Sequence, residues 1–247
     1  MDFSNFLHSV SIDCVVFGFH QNELKVLLLK LKHLDLWALP GGFIKNNQSA
    51  SLAADVVLKD RTGLENIYQQ QFHVFTNPDR SNTHHIEHLI KKEVLDKDSL
   101  AWFQNRFISI GFYALVEYSK VNKPKPDFIS EKCEWVSIDK LPDLMLDHQE
   151  IINEAYKKLQ QDLYQKPIGI NLLPEKFTMP EFQALYETIL QKKIDRRNFR
   201  RKMLSLDILI DTNEKRMGSS NRAPIVYKFH KSNYHKVLED GFNANFF

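Results

Sequence analysis

Five cations fall within seven residues in the stretch Asp195-Arg196-Arg197-Asn198-Phe199-Arg200-Arg201-Lys202-Met203-Leu204. A guanidinium pairs bidentately with guanine and a carboxamide with adenine, while neighbouring cations take phosphates. Asp195 is a good helix N-cap, and Phe199, Met203 and Leu206 recur on the inward side of the helix it would start. That leaves Arg196, Arg197, Asn198, Arg200, Arg201 and Lys202 on the exposed side. Positive charge alone would serve RNA or an acidic protein equally well, so the flanking elements decide. Thr178-Met179-Pro180-Glu181 has capping-box form, and Phe182, Leu185, Tyr186, Ile189 and Leu190 line one face of the helix behind it. A turn at Lys192-Lys193 separates the two helices. Leu206 to Asp211 and Ala223 to Phe229 follow as expected strands, joined by a loop that carries Lys215, Arg216 and Arg222. Cap, helix, turn, basic helix and basic hairpin in that order predict a winged helix-turn-helix on double-stranded DNA.

A second constellation lies near the start of the chain. Gly42 is followed by Gln48, and then by Val56-Val57-Leu58-Lys59-Asp60-Arg61-Thr62-Gly63-Leu64. This frame resembles a Nudix box without a gap, but Gln48, Val57 and Arg61 stand where the box has acids, and Asp60 is the one acid left. Magnesium asks for oxygen ligands, and valine offers none. The resemblance therefore implies a kept scaffold with lost chemistry, no metal, no cofactor and no enzyme activity by the usual route. The alternative is a metal-dependent hydrolase of nucleoside diphosphate derivatives that uses Asp60 with acids elsewhere, such as Glu65 or Glu87. His84 and His88 would share a helix face, but no third ligand stands at a clear spacing.

The elements that would position these residues form an α+β pattern. Ser9 to Phe19 and Leu24 to Leu31 are expected strands joined by a turn at His20-Gln21-Asn22-Glu23. Pro40-Gly41-Gly42 is a turn signal, Ser49 or Ser51 can cap the box helix, and Gly63 is its expected stop. Within that helix Leu52 with Val56, and Ala53 with Val57, recur at helical spacing. Further strands are expected at Gln71 to Asn77, Phe107 to Tyr118 and Glu134 to Ile138. A helix from His148 to Gln165 is broken by Lys166-Pro167.

At 247 residues, two domains are the better expectation: 1–166, a Nudix-like α/β/α sandwich with its linker helix, and 167–247, the winged helix. Charge is divided the same way. Residues 1–166 carry 19 Lys and Arg against 22 Asp and Glu, and residues 167–247 carry 14 against 9, so the parts stand at −3 and +5. Cys14 and Cys133 have no motif spacing and fit reduced thiols in a cytoplasmic protein. No apolar run approaches a membrane span and no leader pattern is present.

The two parts together resemble the Nudix-related transcriptional regulators of the NrtR type. The resemblance is most specific at Ile170-Asn171-Leu172-Leu173-Pro174-Glu175-Lys176-Phe177-Thr178, at Leu185-Tyr186-Glu187-Thr188-Ile189-Leu190 and along Asp195 to Lys202. It implies a dimeric bacterial regulator bound to operator DNA. Its former catalytic domain would sense a small sugar or sugar-nucleotide, either a pentose such as arabinose or ADP-ribose. By position in the family, Phe43, Arg80 and Arg106 would contact that effector. The segment 81–105 is longer here than the family's short loop and is expected to reshape the pocket.

Overall fold

The computed structural model describes residues 3–80, 84–97, 99–121, 123–216 and 223–240. The chain divides into two compact units: 1–18, 25–116 and 120–156 in the first, and 19–24, 117–119 and 157–247 in the second.

In the first unit β1 (Phe6–His20) and β2 (Glu23–Leu31) form a hairpin, followed by short β3 (Trp37–Ala38) and β4 (Gly41–Lys45). Gln21 and Asn22 both have positive φ, which suits the tight turn between the first two strands. The box helix α1 (Ala50–Thr62) leads to β5 (Tyr68–Phe75). Segment 81–105 contributes two short helices, α2 (His84–Lys91) and α3 (Ser99–Phe103), before β6 (Ile108–Val116) and β7 (Ser130–Ser137). The main sheet runs β3-β2-β1-β6-β5, with β4 on β1 and β7 on β2. β1 lies parallel to β6, with Asp13 opposite Gly111. As a central strand it is covered on both faces, which explains its unbroken apolar run from Cys14 to Phe17.

Both predicted stops of α1 form. Ser49 accepts from the Leu52 N–H, and Gly63 adopts φ +74°. Of the two apolar pairs on this helix, Ala53 and Val57 enter the core, while Leu52 and Val56 are 52% and 46% exposed. The buried face is therefore one residue out of phase with the Leu52/Val56 pair, because the small side chains Ala53 and Ala54 permit close packing against the sheet.

Helix α4 (His148–Gln165) begins in the first unit and ends in the second. In the second unit come β8 (Phe177–Thr178), α5 (Met179–Leu190), α6 (Arg196–Ser205), β9 (Leu209–Lys215), β10 (Ile225–Phe229) and α7 (Lys231–Asp240). The last three strands pair in the order β8-β10-β9. Neither β8 nor α7 is legible from periodicity, since one is two residues long and the other polar. β9 starts three residues later than expected, because Leu206 still closes α6 and Asp207 turns the chain at φ 53°. Phe182, Tyr186 and Phe199 pack edge to face in this unit's core. Gly169 lies so close to Leu185 and Tyr186 that a Cβ would stand 3.1 Å from each. No helix among the described residues is long and apolar enough to cross a membrane.

Candidate functional site: a partly open cavity and a basic helix

The glycine loop, the inserted helices and the start of α4 line a partly open cavity of about 250 Å³. Its base is β1. Asp13 is buried there, accepting from the Ser109 hydroxyl at 2.5 Å and from Arg80 Nη2 at 3.3 Å. Gly41 sits opposite Asp13 in the β1–β4 pairing, and a Cβ there would stand 2.8 Å from the Ile12 carbonyl oxygen and 2.9 Å from Asp13 Oδ1. Only glycine permits that approach. Arg80 is itself buried: its Nη1 donates to the Phe75 carbonyl at 3.2 Å, and its Nε stands 2.7 Å from Asp147 Oδ2. His148 Nδ1 accepts from the Leu39 N–H at 2.9 Å, so the neutral ring carries its proton on Nε2, which is 3.6 Å from Asp13. Burial holds the His148 pKa below its ordinary value, against the opposing pull of Asp13 and Asp147.

The upper wall is aromatic. Phe43 stands 5.4 Å, centroid to centroid, from both Phe107 and Trp102. α2 and α3 supply His85, Ile86 and Phe103 to the lining, so the inserted segment forms a wall of the cavity. Of the three expected effector residues, Phe43 and Arg80 line the cavity. Arg106 does not; it is exposed and donates to the Thr76 carbonyl. Asp13 and His148 line it too, and no local pattern marks them as cavity residues because their partners lie over sixty positions away; His85 joins them from the inserted segment.

The donor set along α1 does not fit a divalent cation. Val57 is buried, with its Cγ2 3.2 Å from where a Cβ on Gly42 would be. Arg61 donates to the Lys125 carbonyl at 3.3 Å, and Asp60 is exposed beside it. Among the described residues no three His, Cys, Asp or Glu side chains gather into a group that could hold a metal.

In the second unit Asp195 caps α6 by accepting from the Asn198 N–H at 2.8 Å, while Phe199 and Met203 anchor the helix in the core. Arg196, Arg197, Asn198, Arg200 and Arg201 are exposed and Lys202 is partly so. Arg201 donates to Asn198 Oδ1 at 3.0 Å. The preceding turn is pinned by Glu187, which accepts from the Ile194 N–H at 2.8 Å and from Gln183 at 3.1 Å. That backbone donor holds the Glu187 carboxyl below its ordinary pKa. The capping box of α5 forms at Thr178 and Glu181. Lys215 is exposed on the hairpin, whereas Arg216 is drawn back to Glu181 and to the Lys176 carbonyl. Arg222 lies outside the described residues.

Fold and sites define a two-part protein: a Nudix-like α+β unit whose α1 carries Val57 and Arg61 beside Asp60, followed by a winged helix-turn-helix with a basic second helix. Residues 169–229 match the NrtR DNA-binding winged helix domain. Across most of its length the chain is similar to NrtR-type transcriptional regulators. It is 25% identical over 232 residues to the ADPR responsive transcriptional repressor NtrR of Acinetobacter baylyi, covering 91% of this chain and 83% of that protein. The structure of Shewanella oneidensis NrtR complexed with a 27mer DNA is similar at 26% identity and a TM-score of 0.72, covering 92% of this chain and 96% of that one. A MutT/nudix family protein from Enterococcus faecalis shares the fold at 20% identity and a TM-score of 0.63, covering 90% of this chain and 86% of that one.

Proposed function

We propose that this chain is an NrtR-type transcriptional regulator that binds operator DNA through α6, with residues 1–166 as its sensing part and 167–247 as its DNA-binding part. The observation that carries the reading is the capped, core-anchored α6 presenting Arg196, Arg197, Asn198, Arg200 and Arg201 to solvent within a winged helix. Two protomers place these helices on a pseudo-palindromic operator, with Lys215 on the phosphate backbone. The cavity of the first unit takes the effector, and α4, which runs from one unit into the other, carries the signal. A ligand shifts DNA affinity only as far as it prefers one of two states.

The Acinetobacter relative's name makes ADP-ribose the first effector to test. A second reading, a neutral sugar such as a pentose, has one observation in its favour. Arg80 is held by Asp13 and Asp147, so the cavity offers a diphosphate little uncompensated positive charge. The deciding experiment is binding of the purified protein to its own upstream DNA at two salt concentrations, with and without ADP-ribose and a pentose panel. Specific, ligand-sensitive binding is expected. Turnover of ADP-ribose with magnesium or manganese, and no specific DNA binding, would return the reading to a hydrolase.

A further inference from the structure

The cavity's polar side chains differ in how fully the protein satisfies them. Asp13, Arg80 and His148 are spoken for as described above. Asn105 donates to the Ala101 and Trp102 carbonyls at 3.0 and 2.9 Å, and Asp127 accepts from the Ile129 N–H at 3.2 Å. His85 is the exception of greatest size. It lines the cavity from the first turn of α2, is half-buried, and makes no hydrogen bond among the described residues. The helix that carries it is fixed from beneath by Ile86 and Leu89, both buried in a cluster of their own with Leu95. The ring is reachable from the cavity and has no protein hydrogen-bond partner among the described residues, so its hydrogen-bonding capacity is left for whatever occupies the cavity. Desolvation, with His148 and His84 nearby, pushes its pKa down to about 4, so the ring is neutral near pH 7 and offers one donor and one acceptor.

We infer that His85 is the polar anchor of the effector cavity, its neutral imidazole gripping a hydroxyl of a sugar ring that lies against the aromatic wall of Phe43, Phe103 and Phe107. The inference rests on the cavity being the effector site. It names a chemistry shared by a sugar-nucleotide and a free sugar, since both present ring hydroxyls. It also gives the inserted segment a purpose: the segment brings to the pocket a residue that neither β1 nor the glycine loop supplies.

The test is a calorimetric titration of the full chain with ADP-ribose and, separately, with each of a panel of free pentoses. Wild type is compared with His85→Ala and with His85→Gln, which keeps a donor and an acceptor. For whichever ligand wild type binds, His85→Ala is expected to weaken binding at least tenfold and His85→Gln to recover most of it. DNA affinity without ligand stays unchanged. Equal ligand affinity in wild type and His85→Ala overturns the inference and leaves the effector reading standing. If wild type binds none of these ligands, the effector reading fails and the inference falls with it.

Discussion

Single residues in α6 divide by what holds them. Arg197 is exposed near the N-terminal end of the helix and Asn198 is the residue whose N–H caps to Asp195. Those are the positions from which a recognition helix meets base edges. Arg197→Ala and Asn198→Ala should each cost about 1–3 kcal/mol on the preferred operator and relax sequence preference, read by competition with scrambled DNA. Lys215→Ala should weaken all sequences alike and flatten the salt dependence of binding. Equal losses on every sequence from all three changes would contradict the division of labour. The caps were legible in the sequence because their partners lie within four positions, and the exposed cations because the spacing of Phe199 and Met203 turns them outward. Asp13, Arg80 and Asp147 were not legible as a group, since an ion-paired cluster assembled from residues 13, 80 and 147 leaves no spacing to read.

At the scale of elements, what the sequence shows well are the ends of helices. Gly63 closes α1 at φ +74°, and a Cβ at this position would have nothing within 4 Å, so Gly63→Ala meets no clash and costs only the strain of the left-handed backbone. A melting experiment should show a loss of about 1 kcal/mol. The turn between α5 and α6 gives a pH-dependent counterpart. The Glu187 carboxyl is depressed below 4.5 by the Ile194 N–H, so the stability it adds is present above the unfolded value and fades as pH falls through the folded one. The stability gap between wild type and Glu187→Gln should therefore be about 1 kcal/mol near neutrality and shrink on acidification. A gap that stays constant as the pH is lowered through the carboxylate range would mean that the carboxylate does not pin the turn. Less legible were the face of α1 that turns inward and the short β3, β4 and β8. Their existence depends on strands that pair with them from elsewhere in the chain.

For the whole molecule, the uneven charge, −3 before residue 167 and +5 after it, announced a basic module from composition alone. The contact between the cavity and the head of α4 did not show, because it is made by one buried arginine. Arg80 touches Asp13 at the base of the cavity and Asp147 at the head of α4, and α4 continues into the DNA-binding unit. On the proposed effector role of the cavity, a ligand that settles against Asp13 and Arg80 would change the partner Asp147 sees, and Asp147→Asn would remove the charge by which that change is felt. This variant should keep its ligand affinity within a few-fold and its ligand-free DNA affinity as well, yet lose the shift in DNA affinity that ligand causes in wild type. Reciprocity supplies a second reading of the same coupling: saturating DNA should alter ligand affinity in wild type and leave it unaltered in Asp147→Asn. Fluorescence anisotropy on labelled operator, with and without ligand, measures the first, and titration of ligand into preformed complex the second. An undiminished ligand response in Asp147→Asn would move the coupling away from the Arg80 contact and onto another part of the wall.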